Sequence, residues 1–152
     1  MPDNFFDTSA LGKHYHPEVG TPKVDLLLAD AASRHFISRL TVVEIQSVFA
    51  KKVRTGALSL ADFQLLSRRF LADVRRRRFL VVRVTAAHFH GAERLIRRLA
   101  PAHNLRTLDA LQLAVALDLR AQGLVSQFVS ADNSLCSLAA AEGLSVINPE
   151  VP

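Results

Sequence analysis

Residues 105–117 read Leu-Arg-Thr-Leu-Asp-Ala-Leu-Gln-Leu-Ala-Val-Ala-Leu, and nearly every position is apolar. A helix that is hydrophobic around its whole circumference belongs in the middle of a fold, packed on all sides. Its first turn nevertheless carries a carboxylate, Asp109. Charge on such a helix is tolerated when it is paired or coordinates a metal ion. Asp118 follows nine residues later, about 180° around the helix axis at roughly 100° per residue. It should face away from Asp109, at an exposed helix position. The partners of Asp109 must therefore come from other parts of the chain.

Composition bounds what those parts can be. At 152 residues the chain is sized for one domain, able to bury roughly two thirds of its unfolded surface. The hydrophobic fraction is 49% and the mean hydropathy +0.18, which suits a sheet covered on both faces. No apolar run approaches the ~18 residues that cross a bilayer, so no membrane partner is expected. The opening Met-Pro-Asp-Asn-Phe-Phe-Asp has no basic region that would direct export, and a cytoplasmic protein is expected. The single cysteine, Cys136, reads as a small core residue in a reducing compartment.

Charge is unevenly placed. Between Arg68 and Arg106 eleven arginines stand against two acids, Asp73 and Glu93. Residues 107–152 reverse this, with five acids against one arginine. A basic middle beside an acid-rich end suits a protein that attracts a polyanion while holding cations elsewhere. The plainer alternative for the run Arg75–Arg78 is a solvated helix face.

In chain order, Asn4–Asp7 reads as a first strand ending in an acid, followed by the hydroxyls Thr8 and Ser9. Gly12 to Pro22, with two prolines and two glycines, reads as loop. Val24–Ala32 reads as a helix and His35–Ser38 as a second strand. Thr41 opens a helix to about Arg54, and the spacing Thr41-x-x-Glu44 is that of a capping box. Ser59 caps a helix to Arg77 whose stripe Leu60, Phe63, Leu66, Phe70 and Val74 is core or a groove for a partner helix. Phe79–Val84 is a third strand, and Thr85 caps a helix to Leu99. The Asp109 helix stops at Gln122-Gly123. Gln127–Ser130 is a fourth strand, Ser134–Glu142 a helix, and Ser145–Ile147 a fifth strand. Apolar strands alternating with helices mean a parallel sheet in a three-layer α/β sandwich.

Four acids then stand at comparable places. Asp7 ends the first strand, Glu44 lies in the helix after the second, Asp109 opens the helix leading to the fourth, and Asp132 follows the fourth. Ligands of open parallel sheets bind beyond the C-terminal strand ends, where strand order reverses. Each acid also has a structural reading: a turn for Asp7, the capping box for Glu44, the helix dipole for Asp109 and an N-cap for Asp132. Gathered at one edge they would repel one another unless a divalent cation compensated. His14, His16, His88 and His90 show no ligand spacing and read as surface residues, and Arg106 is placed to reach a phosphate or an acid of the crevice.

The stretches Phe5-Phe6-Asp7-Thr8-Ser9-Ala10-Leu11, Thr41-Val42-Val43-Glu44-Ile45, Leu105–Ala114 and Phe128-Val129-Ser130-Ala131-Asp132-Asn133-Ser134-Leu135, in this order and spacing, resemble the four acidic motifs of PIN-domain nucleases. Among these the chain is most similar to the VapC-type toxins of toxin–antitoxin pairs, over its whole length, as a single domain of residues 1–152. The resemblance implies a PIN-like α/β/α sandwich with a five-stranded parallel sheet of order 3-2-1-4-5. It implies a ribonuclease dependent on Mg²⁺ or Mn²⁺, with Asp7, Glu44, Asp109 and Asp132 as catalytic, metal-binding acids. Asp7, Asp109 and Glu44 would surround the more tightly held ion, and Asp132 a second ion or its water. Ser9 and Ser130 match supporting hydroxyl positions, while Arg106, Asn133 and Gln112 are candidates for support. The implied partners are RNA, specifically transfer or ribosomal RNA gripped by the arginine-rich helices, a VapB-like antitoxin docked on the Leu60–Val74 stripe, and a second copy in a homodimer.

Three other readings compete. A PIN nuclease of housekeeping RNA maturation would lack an adjoining antitoxin gene. A receiver-like signalling module would need an aspartate at the end of its third strand, where this chain has Val84-Thr85. A PIN fold kept only as an RNA- or protein-binding scaffold would have no use for four intact acids.

Overall fold

The computed structural model describes residues 2–152. Five short strands form one all-parallel sheet: β1 (Asn4–Phe6), β2 (His35–Ser38), β3 (Leu80–Val82), β4 (Gln127–Val129) and β5 (Ser145–Ile147). Their order is β3-β2-β1-β4-β5, so the direction of winding reverses between β1 and β4. Register aligns Phe5 with both Phe36 and Phe128. Since alternate residues of a strand face opposite ways, each central strand sends one large apolar side chain to each face.

That alternation divides the core. Phe5, Phe36 and Phe128 pack on one face against α5 (Ala86–Leu99), α6 (Thr107–Ala121) and α7 (Asn133–Ala141). Phe5 and Phe128 stack with ring centroids 5.8 Å apart. Phe6, Ile37 and Val129 pack on the other face against α1 (Thr8–Tyr15), α2 (Thr21–Ala29), α3 (Arg39–Arg54) and α4 (Leu60–Arg75). Ala110 through Ala116 of α6 are all buried. Gly91 of α5 lets that helix approach α6 closely: a Cβ there would stand 3.4 Å from Ala114.

Four expectations need correction. The segment read as loop from Gly12 to Pro22 is helical at both ends and loop only between them: α1 continues through Gly12 to Tyr15, and α2 begins at Thr21. Glycine in a helix costs about 1 kcal/mol, but here Tyr15 sits edge-on to Phe49 and Phe70. The buried Lys13 ammonium also bonds Glu18 and Glu150 at 3.1 and 2.7 Å. Gly20, at φ 91°, and Pro22 in the first turn start a helix rather than sustain a loop. Secondly, α3 begins at Arg39, so the Thr41–Glu44 capping box does not form. Thirdly, Leu66 and Phe70 are buried and Phe63 and Val74 pack beside them. Four of the five stripe residues are thus core rather than a free groove, while Leu60 is exposed, as are Leu65 and Leu71 of α4. Finally, His88 is buried rather than on the surface. It takes the third position of a capping box with Thr85, and its Nε2 lies 2.7 Å from Asp118 Oδ2. Among the described residues no helix is long and apolar enough to cross a membrane.

Candidate active site

Beyond the C-terminal ends of β1 and β4, where the winding reverses, lies an open crevice of about 500 Å³. Asp7, Glu44, Asp109 and Asp132 all line it. Asp7 is the residue between β1 and α1, and its backbone N–H donates to Val129 O of β4. Its side chain is buried. Oδ2 accepts from Ser9 Oγ at 2.7 Å and from Ser130 Oγ at 3.0 Å. The same hydroxyls accept backbone N–H groups, Ser9 Oγ from Ala131 and Ser130 Oγ from Asp132. Two serines thus tie the β1–α1 junction to the β4–α7 junction and aim the Asp7 carboxylate.

Glu44 projects from the second turn of α3. Its Oε1 accepts from Thr8 Oγ1 at 3.1 Å and from Gln112 Nε2 at 2.7 Å. Gln112 is fully buried on α6, one turn after Asp109. Its Oε1 accepts from Ser38 Oγ at 2.8 Å, and its amide nitrogen also lies 2.9 Å from Thr41 Oγ1. One glutamine therefore joins α6, the end of β2, α3 and, at 3.3 Å, Thr8 of α1. Asp109 stands half-buried in the first turn of α6 with Arg106 Nε 3.4 Å from its Oδ2. Asp132 caps α7, its Oδ1 accepting from Leu135 N at 3.1 Å.

Each carboxylate has one oxygen held by the protein. Among the described residues no side chain or backbone donor reaches the other: Asp7 Oδ1, Glu44 Oε2, Asp109 Oδ1 and Asp132 Oδ2. Burial, above all, pushes Asp7 up to about 6, against the lowering effect of the Ser9 and Ser130 hydroxyls, with the charges of Asp109 and Glu44 adding to the rise. Burial also raises Asp109, opposed by Arg106 and reinforced by the charge of Asp132. The start of α1 at Asp7 and the first turns of α6 and α7 place three helix N-termini at this edge. Their partial positive charge eases the crowding.

The PIN-domain family model matches residues 5–146. The chain belongs to the PIN-domain family. No curated protein is significantly similar to it in sequence. Among solved structures, the PIN fold of this chain is similar to VapC20 of Mycobacterium tuberculosis, described as a sarcin-ricin loop cleaving toxin. The two share 18% identity with a TM-score of 0.67, covering 96% of this chain and 98% of that one. FitAcB from Neisseria gonorrhoeae is similar at 16% identity and a TM-score of 0.66, over 98% and 99% of the two chains. VapBC2 from Rickettsia felis, bound to a DNA fragment from their promoter, is similar at 15% identity and 0.62, over 95% and 96%. At these identities the likeness is one of fold.

Within this PIN domain the sequence-derived candidates separate. The four acids share the crevice, Ser9 and Ser130 hold Asp7, and Arg106 lines the rim with its side chain largely exposed. Asn133 does not join them: its Oδ1 accepts from Asn148 Nδ2 at 2.7 Å, outside the crevice lining. The arginines of residues 68–78 do not line the crevice either. The cations that do, besides Arg106, are Lys51 and Arg54 of α3, which sequence reasoning passed over. A signal was present, because Glu44, Ser47, Val48, Lys51 and Arg54 recur at helical spacing on one face.

Among the described residues, no three carboxylate, imidazole or thiol groups form a ready-made cation cage. The chemistry of the donor set, oxygen ligands alone, nevertheless fits a hydrated divalent ion. Mg²⁺ prefers oxygen ligands, keeps several waters and uses one or two carboxylates rather than a closed protein cage. Four hard-oxygen donors, each with one free oxygen and two with raised affinity for a proton, are chemically matched to such an ion.

Proposed function

We propose that this chain is a divalent-metal-dependent endoribonuclease and the toxin of a toxin–antitoxin pair. The observation carrying this reading is the shared crevice of Asp7, Glu44, Asp109 and Asp132, each anchored through one oxygen and open through the other. Asp7, Asp109 and Glu44 hold the tighter ion, Mg²⁺ or Mn²⁺, and Asp132 serves a second ion or orients water. When bound, a divalent ion supplies Lewis acidity, making water a stronger nucleophile and offsetting charge on a phosphodiester. Ser9 and Ser130 keep Asp7 in one orientation, and Thr8 and Gln112 do the same for Glu44. Lys51, Arg54 and Arg106 bind phosphates flanking the scissile one. Hydrolysis leaves 5′-phosphate and 3′-hydroxyl ends.

The RNA is transfer or ribosomal RNA, in keeping with the description of VapC20 as cleaving the sarcin-ricin loop. A VapB-like antitoxin restrains the enzyme, and the active form is a homodimer; the VapBC2 likeness supports the antitoxin. The test is turnover of an RNA pool with Mg²⁺ or Mn²⁺ against EDTA, beside Asp109→Asn. Cleavage that needs the ion and is lost in the variant is expected. Full activity in EDTA or in Asp109→Asn would overturn the mechanism. Growth arrest on expression, abolished by Asp7→Ala, checks the toxin role separately.

A further inference from the structure

α4 and the turn after it carry Arg68, Arg69, Arg75, Arg76, Arg77 and Arg78, and none lines the catalytic crevice. Arg68, Arg69, Arg76 and Arg78 instead line a separate concavity of about 430 Å³, with His14 and Tyr15 of α1 at its other wall. Asp7 precedes α1 and Tyr15 ends it. Crevice and concavity thus lie at opposite ends of an eight-residue helix, about 12 Å long at 1.5 Å per residue.

Among the described residues, the only carboxylate lining this concavity is already committed. Asp73 Oδ2 accepts from the Tyr15 hydroxyl at 2.6 Å and lies 3.5 Å from Arg78 Nη1. Arg78 Nη1 also stands 3.1 Å from His14 Nε2, while His14 Nδ1 lies 2.6 Å from Asp25 Oδ1. Arg78 is thus fixed to the wall. Arg68, Arg69 and Arg76 form no ion pair among the described residues. Arg69 and Asp73 lie one turn apart on α4 and Arg76 is its C-cap, so two unpaired guanidinium groups flank one ion-paired acid in the same lining.

We propose that this concavity is a second phosphate-backbone site, seating a part of the same RNA remote from the scissile bond. The inference rests on the ribonuclease reading above and adds a substrate requirement: folded RNA that reaches both ends of α1. Guanidinium forks pair with phosphate oxygens bidentately. The lining favours RNA over a protein partner, because among the described residues the half-buried Ala72 is its only aliphatic residue and Tyr15 is buried. Protein interfaces are anchored by desolvated aromatic or aliphatic groups, whereas backbone phosphate contacts need charge alone.

The test is a double variant, Arg69→Gln with Arg76→Gln, both exposed, the first within α4 and the second at its C-cap. Binding of a hairpin RNA and of a short single-stranded oligonucleotide is titrated over a range of salt, in an Asp109→Asn background so that neither is consumed. Cleavage of both by the otherwise unaltered enzyme is followed in parallel. The double variant should bind the hairpin roughly tenfold more weakly, with a salt slope shallower by about 1.8 for two lost phosphate contacts. Oligonucleotide binding and cleavage should not change. Equal losses on both RNAs, or no loss on the hairpin, would overturn the second site while leaving metal-dependent cleavage intact. Unchanged RNA binding with weakened antitoxin binding would overturn it in favour of a protein interface. Absence of cleavage in every sample would sink the ribonuclease reading, and the binding titration would still decide whether the concavity takes phosphate.

Discussion

A carboxylate that prefers its proton inside the fold makes a pH-dependent demand on stability. Asp7 moves from an ordinary 3.8 to about 6, chiefly through burial. Between those values the folded chain holds a proton that the unfolded chain has released, so stability falls as pH rises through this window and levels off above it. The shift corresponds to roughly 3 kcal/mol. In EDTA the melting temperature should therefore drop from pH 4 to pH 6.5, and Mg²⁺ should restore it at pH 7 but not at pH 4. Asp7→Asn should remove most of the drop, because the asparagine oxygen can accept from Ser9 and Ser130 without carrying charge. A wild-type melting curve flat in pH without metal would contradict this account. Gln112 poses the converse case. Gln112→Leu strips partners from the hydroxyls of Ser38 and Thr41 and from Glu44 Oε1, costing about 3 kcal/mol in urea titration. It should also lower activity about 10- to 100-fold by freeing Glu44. Asp109 was readable in the sequence because a lone charge interrupts an apolar helix. Gln112 was only a weak candidate, since nothing in its spacing names the four groups it would meet.

At the scale of elements, what was legible followed hydrophobic period and what was not followed tertiary contact. The β-strands and α6 announce themselves through continuous apolar runs. The extent of α1 does not, because Gly12 and the polar Lys13 and His14 read as loop until Tyr15 finds Phe49 and Phe70. Thr41-x-x-Glu44 has the spacing of a cap, but Ser38 starts the helix and leaves Thr41 and Glu44 to bond across to α1 and α6. The end of α4 shows the same tension. Arg77 adopts φ 58° and its N–H donates to Val74 O, a helix stop that glycine makes without a Cβ penalty. Arg77→Gly should raise stability by about 1 kcal/mol, visible as a higher urea midpoint with an unchanged slope. A lower midpoint would mean that the arginine side chain contributes more than its backbone strain costs.

Over the whole molecule, the arrangement of charge decides how a polyanion can approach. Strand order itself was not contained in any single strand; it rested on resemblance, and the observed β3-β2-β1-β4-β5 sheet places the acids around one crevice. The abundance of arginine in the middle of the chain was plain in the sequence, yet its position was not, because linear distance does not say which end of α1 the α4 arginines reach. An acid-lined crevice repels RNA unless cations flank it. Along α3, Glu44 is followed on the same face by Lys51 and Arg54, about 10 and 15 Å further along the helix axis. They are therefore placed to hold phosphates displaced from the one at the acids. Lys51→Gln with Arg54→Gln should raise KM severalfold for hairpin and short oligonucleotide alike, with kcat little changed, and flatten the salt dependence by about 1.8 in slope on the hairpin and about 1.4 on the single strand. This pattern differs from that expected for Arg69 and Arg76, whose loss should touch only the folded RNA. If the α3 pair instead lowered kcat at unchanged KM, these cations would act on the reacting phosphate itself, and the track along α3 would have to be abandoned.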